Sequence, residues 1–138
     1  MKGQLSLEVL LVLGLIFVFL IPILFYFFYE YMLVSDHMTR EYAIQWIMDL
    51  ERVAENVYYG GPGTRIVMDQ MLPTSIKSIQ VKEVSNGTLV VYEFVDGTQI
   101  VSYFPMSVVL AGGNWDALTS FKIKVENKNG TVEISPAS

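Results

Sequence analysis

Hydrophobic and polar positions follow three successive patterns along this chain. Residues 9 to 29 form 21 consecutive positions without a formal charge, dominated by Leu, Ile, Val and Phe. A helix rising 1.5 Å per residue crosses a hydrocarbon layer of roughly 30 Å in about 20 residues. The run therefore predicts a membrane-spanning helix. At its end, Phe25-Tyr26-Phe27-Phe28-Tyr29-Glu30-Tyr31 has the composition of an aromatic belt at a membrane surface.

The second pattern is amphipathic. Ala43, Trp46, Leu50, Val53 and Val57 recur at spacings of 3, 4, 3 and 4, while Asp49, Glu51, Arg52 and Glu55 fall largely elsewhere. That period predicts a helix with one buried stripe, and Trp46 is expected in the core. Gly60-Gly61-Pro62-Gly63 ends it. A single helix over residues 5 to 59 would run about 80 Å at 1.5 Å per residue. Pro22 lies inside it and removes one backbone hydrogen bond, which predicts a kink or a local melt there.

Beyond the Gly-Pro loop the period becomes two. Phe121-Lys122-Ile123-Lys124-Val125-Glu126 alternates apolar and charged positions, as a half-buried strand does. Asn86-Gly87, Asp96-Gly97 and Asn129-Gly130 each suit the positive φ angles of tight hairpins. Strands are expected near 64 to 69, 76 to 84, 88 to 95, 98 to 104, 106 to 110, 119 to 127 and 130 to 135. The fold class is α+β: a long N-terminal helix, membrane-spanning and then amphipathic, with its C-terminal half packed on an antiparallel β-sheet head. The expected divisions are a hydrophobic helix over 4 to 34, its amphipathic continuation over 35 to 59, and a β-rich globular head over 60 to 138.

Composition narrows the function. Of the 138 residues 52% are hydrophobic, and the excess is concentrated in the first 34. The remainder, about 100 residues, suffices for one small domain. Nine basic against 14 acidic residues give a net charge of −5 with no Lys/Arg cluster, which argues against a nucleic-acid partner. There is no cysteine, so there is no disulfide framework, thiol chemistry or Cys-built zinc site. The single histidine, His37, lies just past the aromatic belt with no serine or carboxylate arranged as an orienting pair, and no calcium-loop motif occurs. The Gly60 to Gly63 loop follows a helix and contains a proline, unlike a phosphate-binding loop. The expectation is a protein that is not an enzyme and carries no metal or cofactor.

Two features carry modification or topological information. Asn86-Gly87-Thr88 and Asn129-Gly130-Thr131 are N-x-[ST] sequons at expected hairpin tips, making Asn86 and Asn129 candidates for N-glycosylation, although each is also simply a good turn. Lys2 precedes the span, whereas Glu30, Asp36, Glu41 and Asp49 follow it, so the N-terminus is expected on the cytoplasmic side and the head outside. The apolar run is longer than a secretory signal core, and no A-x-A site follows it.

One residue stands out at the head of the apolar run. Glu8 is a lone carboxylate where charge costs several kcal/mol within a membrane span. It belongs to Lys2-Gly3-Gln4-Leu5-Ser6-Leu7-Glu8, a short basic leader, a small residue and then a retained apolar helix. This layout closely resembles the Q-x-S-x-E start of archaeal type IV pilin-like proteins with a class III signal peptide, here Gln4, Ser6 and Glu8. Where that family usually has a leucine four residues after the glutamate, this chain has Val12.

The resemblance implies cleavage between Gly3 and Gln4 by a membrane prepilin peptidase, with residues 1 to 3 as the leader. It further implies partners: an assembly ATPase, a membrane platform protein, and identical copies packed through their apolar helices into a helical adhesion filament at the cell surface. In that family the acid corresponding to Glu8 is thought to meet the N-terminal amine of a neighbouring copy. Independently, a subunit entering out of register would leave the acid buried and unpaired, which is costly. A plainer account of Glu8 is the helix dipole, which favours an acid at a helix N-terminus by about 0.3 to 1 kcal/mol. The sequence also admits a minor or priming pilin. The alternative from a different class is a monomeric signal-anchored surface protein whose β domain binds a ligand or the cell envelope.

Overall fold

The computed structural model describes residues 2 to 116 and 119 to 137. Its elements are one helix, α1 (Lys2–Tyr59), followed by seven strands: β1 (Arg65–Met71), β2 (Ile76–Val84), β3 (Gly87–Phe94), β4 (Gln99–Phe104), β5 (Val108–Leu110), β6 (Lys122–Lys128) and β7 (Thr131–Pro136). The fold is α+β, a long apolar N-terminal helix followed by a β domain. The chain divides into two compact units between Met38 and Thr39. The division falls inside the expected amphipathic segment of 35 to 59, because only from Ala43 onward does α1 bury side chains.

In the first unit the helix continues through Pro22 without interruption. The local melt that this proline allowed is therefore absent. Pro22 has no N–H to offer the carbonyl of Val18, one turn earlier, so that bond of the ladder is missing.

In the second unit, Ala43, Trp46, Ile47, Leu50, Ala54 and Val57 of α1 are buried, with Val53 packed against them. This is the expected stripe, widened by Ile47 and Ala54. Its partners come from two sheets: Met68, Ile123, Val125, Val132 and Ile134 from one, Ile76, Ile79, Val90, Tyr92 and Phe104 from the other. Tyr92 is fully enclosed, and burial, reinforced by the nearby Glu51 carboxylate, pushes its ionisation well above the usual tyrosine range. The core thus holds a neutral phenol.

Two sheets replace the one antiparallel sheet expected from the pattern. The first has the order β1-β6-β7-β5 and the second β2-β3-β4. All pairs are antiparallel except β5 with β7, which is parallel. Only residues 105 to 107 separate β4 from β5, and there the chain steps from the second sheet to the first. Thr88 stitches this crossing: its hydroxyl donates to Met106 O (2.9 Å) and accepts from Val108 N (3.0 Å).

The turn at Asn129-Gly130 has the expected geometry, with φ of 55° and 88° in a two-residue hairpin between Lys128 and Thr131. The β2–β3 hairpin differs. Its loop is Ser85-Asn86, and Gly87 is the first residue of β3, paired with Val84 and without positive φ. Glycine is needed there for a different reason: a Cβ would collide with Phe104 O and lie 2.9 Å from the Tyr103 hydroxyl.

Asn127 is a residue the pattern did not single out. Its buried side-chain amide donates to Val57 O (3.2 Å) and Tyr58 O (3.1 Å) at the end of α1. Its Oδ1 accepts from Gly130 N (2.9 Å) in the β6–β7 turn. One side chain thus satisfies two terminal helix carbonyls and one turn amide.

Candidate functional site

Residues 2 to 38 of α1 are described here by themselves. Every one of them is exposed. Between Leu5 and Val34, 25 large hydrophobic side chains lie open, from 41% exposure at Leu33 to 73% at Tyr31. The apolar positions surround the helix rather than forming one stripe, which is the pattern of a helix buried on all sides. Full burial of such a side chain is worth about 1.5 to 3 kcal/mol. About half of that, summed over these positions, is on the order of 20 to 40 kcal/mol, above the roughly 5 to 15 kcal/mol that stabilises a whole domain. This segment is long and apolar enough to cross a membrane.

Glu8 interrupts that surface. Leu5, Val9, Val12 and Leu13 line a shallow crevice with it on the helix. Among the described residues it makes no hydrogen bond or ion pair. It also lies six residues beyond Lys2, and α1 has no acid in its first turn. Dipole stabilisation fades within that turn, so in the uncut chain the plainer account of Glu8 loses most of its force.

Lys2, Gly3, Gln4 and Ser6 occupy the first two turns of α1. Gly3 has no packing reason to be glycine, since a Cβ there would meet nothing within 4 Å and its φ is not positive. Gly3 is the second residue of α1, in its first turn, beside the expected cleavage point.

The two sequons are not equivalent. Asn86 and Asn129 are both exposed at hairpin tips. However, Thr88 of the first is buried, with its hydroxyl occupied in the crossing to β5, whereas Thr131 of the second is half-buried and opens β7. His37 is exposed, and no group of three or more His, Asp or Glu residues that could hold a metal ion occurs among the described residues.

The structure gathers Lys2, Gly3, Gln4, Ser6 and Glu8 within two turns of one helix. Pro22, Asn86 and Asn129 lie apart from them, the sequons on separate hairpins. Compared with protein-family models, with curated proteins and with solved structures, the chain matches none.

Proposed function

We propose that this protein is the structural, non-catalytic subunit of an archaeal type IV-like adhesion pilus. A prepilin peptidase releases residues 1 to 3, and an assembly ATPase and platform protein carry the subunit from the membrane into a helical filament of identical copies. The observation that carries this reading is the all-round apolar surface of residues 9 to 29 with one acid, Glu8, at its head. Such a surface is satisfied first by lipid and then by the same segment of neighbouring copies, and a contact that repeats without closing builds a filament.

Two further observations support it. Gly3 is sterically unnecessary, as a residue kept for processing would be. Glu8 has no partner within its own helix, and in a chain beginning at Gln4 it would be the fifth residue, open to the amine of another copy. Glycans at Asn129, and at Asn86 if added before Thr88 is enclosed, would decorate the outer surface.

The test is the intact mass of the protein from cells that carry the secretion machinery, with electron microscopy of sheared surface filaments. The expected mass is that of a chain starting at Gln4, less ammonia where that glutamine has cyclised. A chain retaining Lys2 and Gly3, in cells without filaments, refutes the proposal and identifies a signal-anchored surface protein.

A further inference from the structure

The two sheets of the head expose four edges, and three are guarded. On β2, Ile79 exchanges both backbone hydrogen bonds with Trp115 (2.9 Å each), and Val81 N donates to Asn114 Oδ1 (3.1 Å). On β5, three residues long, Val108 N is taken by Thr88. On β1 the register is irregular between Val67 and Met71, and Arg65 and Asp69 charge it. Short length, bulges, charge and covering loops are the usual devices that stop strand edges from pairing.

Among the described residues the fourth edge, β4, has none of them. Its sequence, Gln-Ile-Val-Ser-Tyr-Phe, is uncharged and free of Pro and Gly. Phe94 N donates to Thr98 O (2.8 Å), and pairs alternate along an antiparallel ladder, so Ile100, Ser102 and Phe104 bond to β3. The N–H and C=O groups of Gln99, Val101 and Tyr103 therefore point to the open edge. Among the described residues no backbone hydrogen bond from another segment reaches them. The outer face beside them is apolar: Val101 (55% exposed) and Tyr103 (51%) stand opposite half-buried Val91 and Leu89.

We propose that β4 is a docking edge for β4 of a second copy of this chain, paired antiparallel about a two-fold axis at Val101. The sequence is self-complementary in that register. Val101 faces Val101 of the other copy, and Gln99 faces its Tyr103 in both directions. Three residues on each strand then use both outward groups, closing six hydrogen bonds and joining two three-stranded sheets into one of six. No like charges meet. A shift by two residues either way would bring Pro105, which lacks an N–H, or the Gly97 turn into the ladder.

This contact does not depend on the filament reading. If the filament exists, its copies repeat by one screw operation, so a two-fold contact joins copies of separate filaments side by side.

The chain has no cysteine, so single cysteines introduced into the full-length protein report one position each. Directly hydrogen-bonded residues lie about 5.5 Å apart between Cα atoms, within disulfide range. In detergent micelles under mild oxidation, Val101→Cys is expected to form a disulfide-linked dimer, whereas Lys82→Cys on β2 is expected to remain monomeric. Mixing Gln99→Cys with Tyr103→Cys is expected to give the mixed dimer in preference to either self-linked one. Val101→Lys, which sets two ammonium groups face to face, is expected to shift the sedimentation profile of the protein in detergent toward monomer, with unchanged near-ultraviolet circular dichroism. Carrying Glu8→Ala alongside Val101→Cys separates the two proposals: the disulfide is expected to persist even if filament assembly fails. A monomeric Val101→Cys, equal linkage at Lys82→Cys, or loss of the dimer on adding Glu8→Ala overturns the β4 proposal.

Discussion

Replacing Asn127 by alanine removes a side chain that ties the end of α1 to the β6–β7 turn. Three hydrogen bonds go with it, to Val57 O, Tyr58 O and Gly130 N. Each contributes about 0.5 to 1.5 kcal/mol net, and buried partners left unsatisfied add to the loss. Some of these regain water, so the whole effect is about 2 to 4 kcal/mol. For a unit of about 100 residues, 1 kcal/mol shifts Tm by roughly 4 °C, which gives a fall of about 8 to 16 °C. The assay is thermal unfolding of the full-length protein in detergent, followed by the near-ultraviolet signal of Trp46 and Trp115.

Asn127→Asp sharpens the test. Its carboxylate can still accept from Gly130 N, but it faces two carbonyl oxygens to which the amide donated. Burial and those oxygens raise its folded pKa above the unfolded value of about 3.9. A raised folded pKa gives a contribution present below the unfolded pKa and lost as pH rises through the folded one. The aspartate variant is therefore expected to approach wild type near pH 3.5 and to fall below the alanine variant at pH 7. A Tm for Asn127→Ala within 2 °C of wild type, or an aspartate variant whose deficit is independent of pH, would refute the reasoning.

Glu8→Ala is expected to leave membrane insertion intact and to lower filament yield sharply, measured by shearing and weighing surface filaments; normal yield sinks the pairing role. Gly87→Ala forces a Cβ against Phe104 O and is expected to cost about 1 to 3 kcal/mol, read as a lower Tm. The Asp96 carboxylate accepts from both the hydroxyl and the backbone N–H of Thr98, which hold its pKa below the usual carboxylate range. A depressed folded pKa gives stability present above the unfolded value and lost as pH falls through the folded one. Asp96→Asn is thus expected to flatten the Tm profile below about pH 4, and an unchanged acid limb contradicts this.

Much of this protein followed from local pattern alone. Twenty-one uncharged positions, a stripe at spacings of 3 and 4, a Gly-Pro stop and an alternating C-terminal half determined a helix ending at Tyr59 and seven strands, each within a few residues of its place. These are short-range signals: a period of 3.6 or 2 is written in neighbouring residues. The Q-x-S-x-E start, with Glu8, is local in the same sense.

Tertiary structure decided what depends on distant partners. Asn127 and Val57 are 70 positions apart, so no window on the sequence connects them. The parallel pairing of β5 with β7 and the division into two sheets arise where the chain crosses over at residues 105 to 107, through contacts with Thr88. Gly87 looked like a turn glycine, yet the nearness of Phe104 from another strand is what requires it. Which strand edge stays bare could be read only once Asn114 and Trp115 were seen lying across β2, because an edge is defined by what fails to cover it.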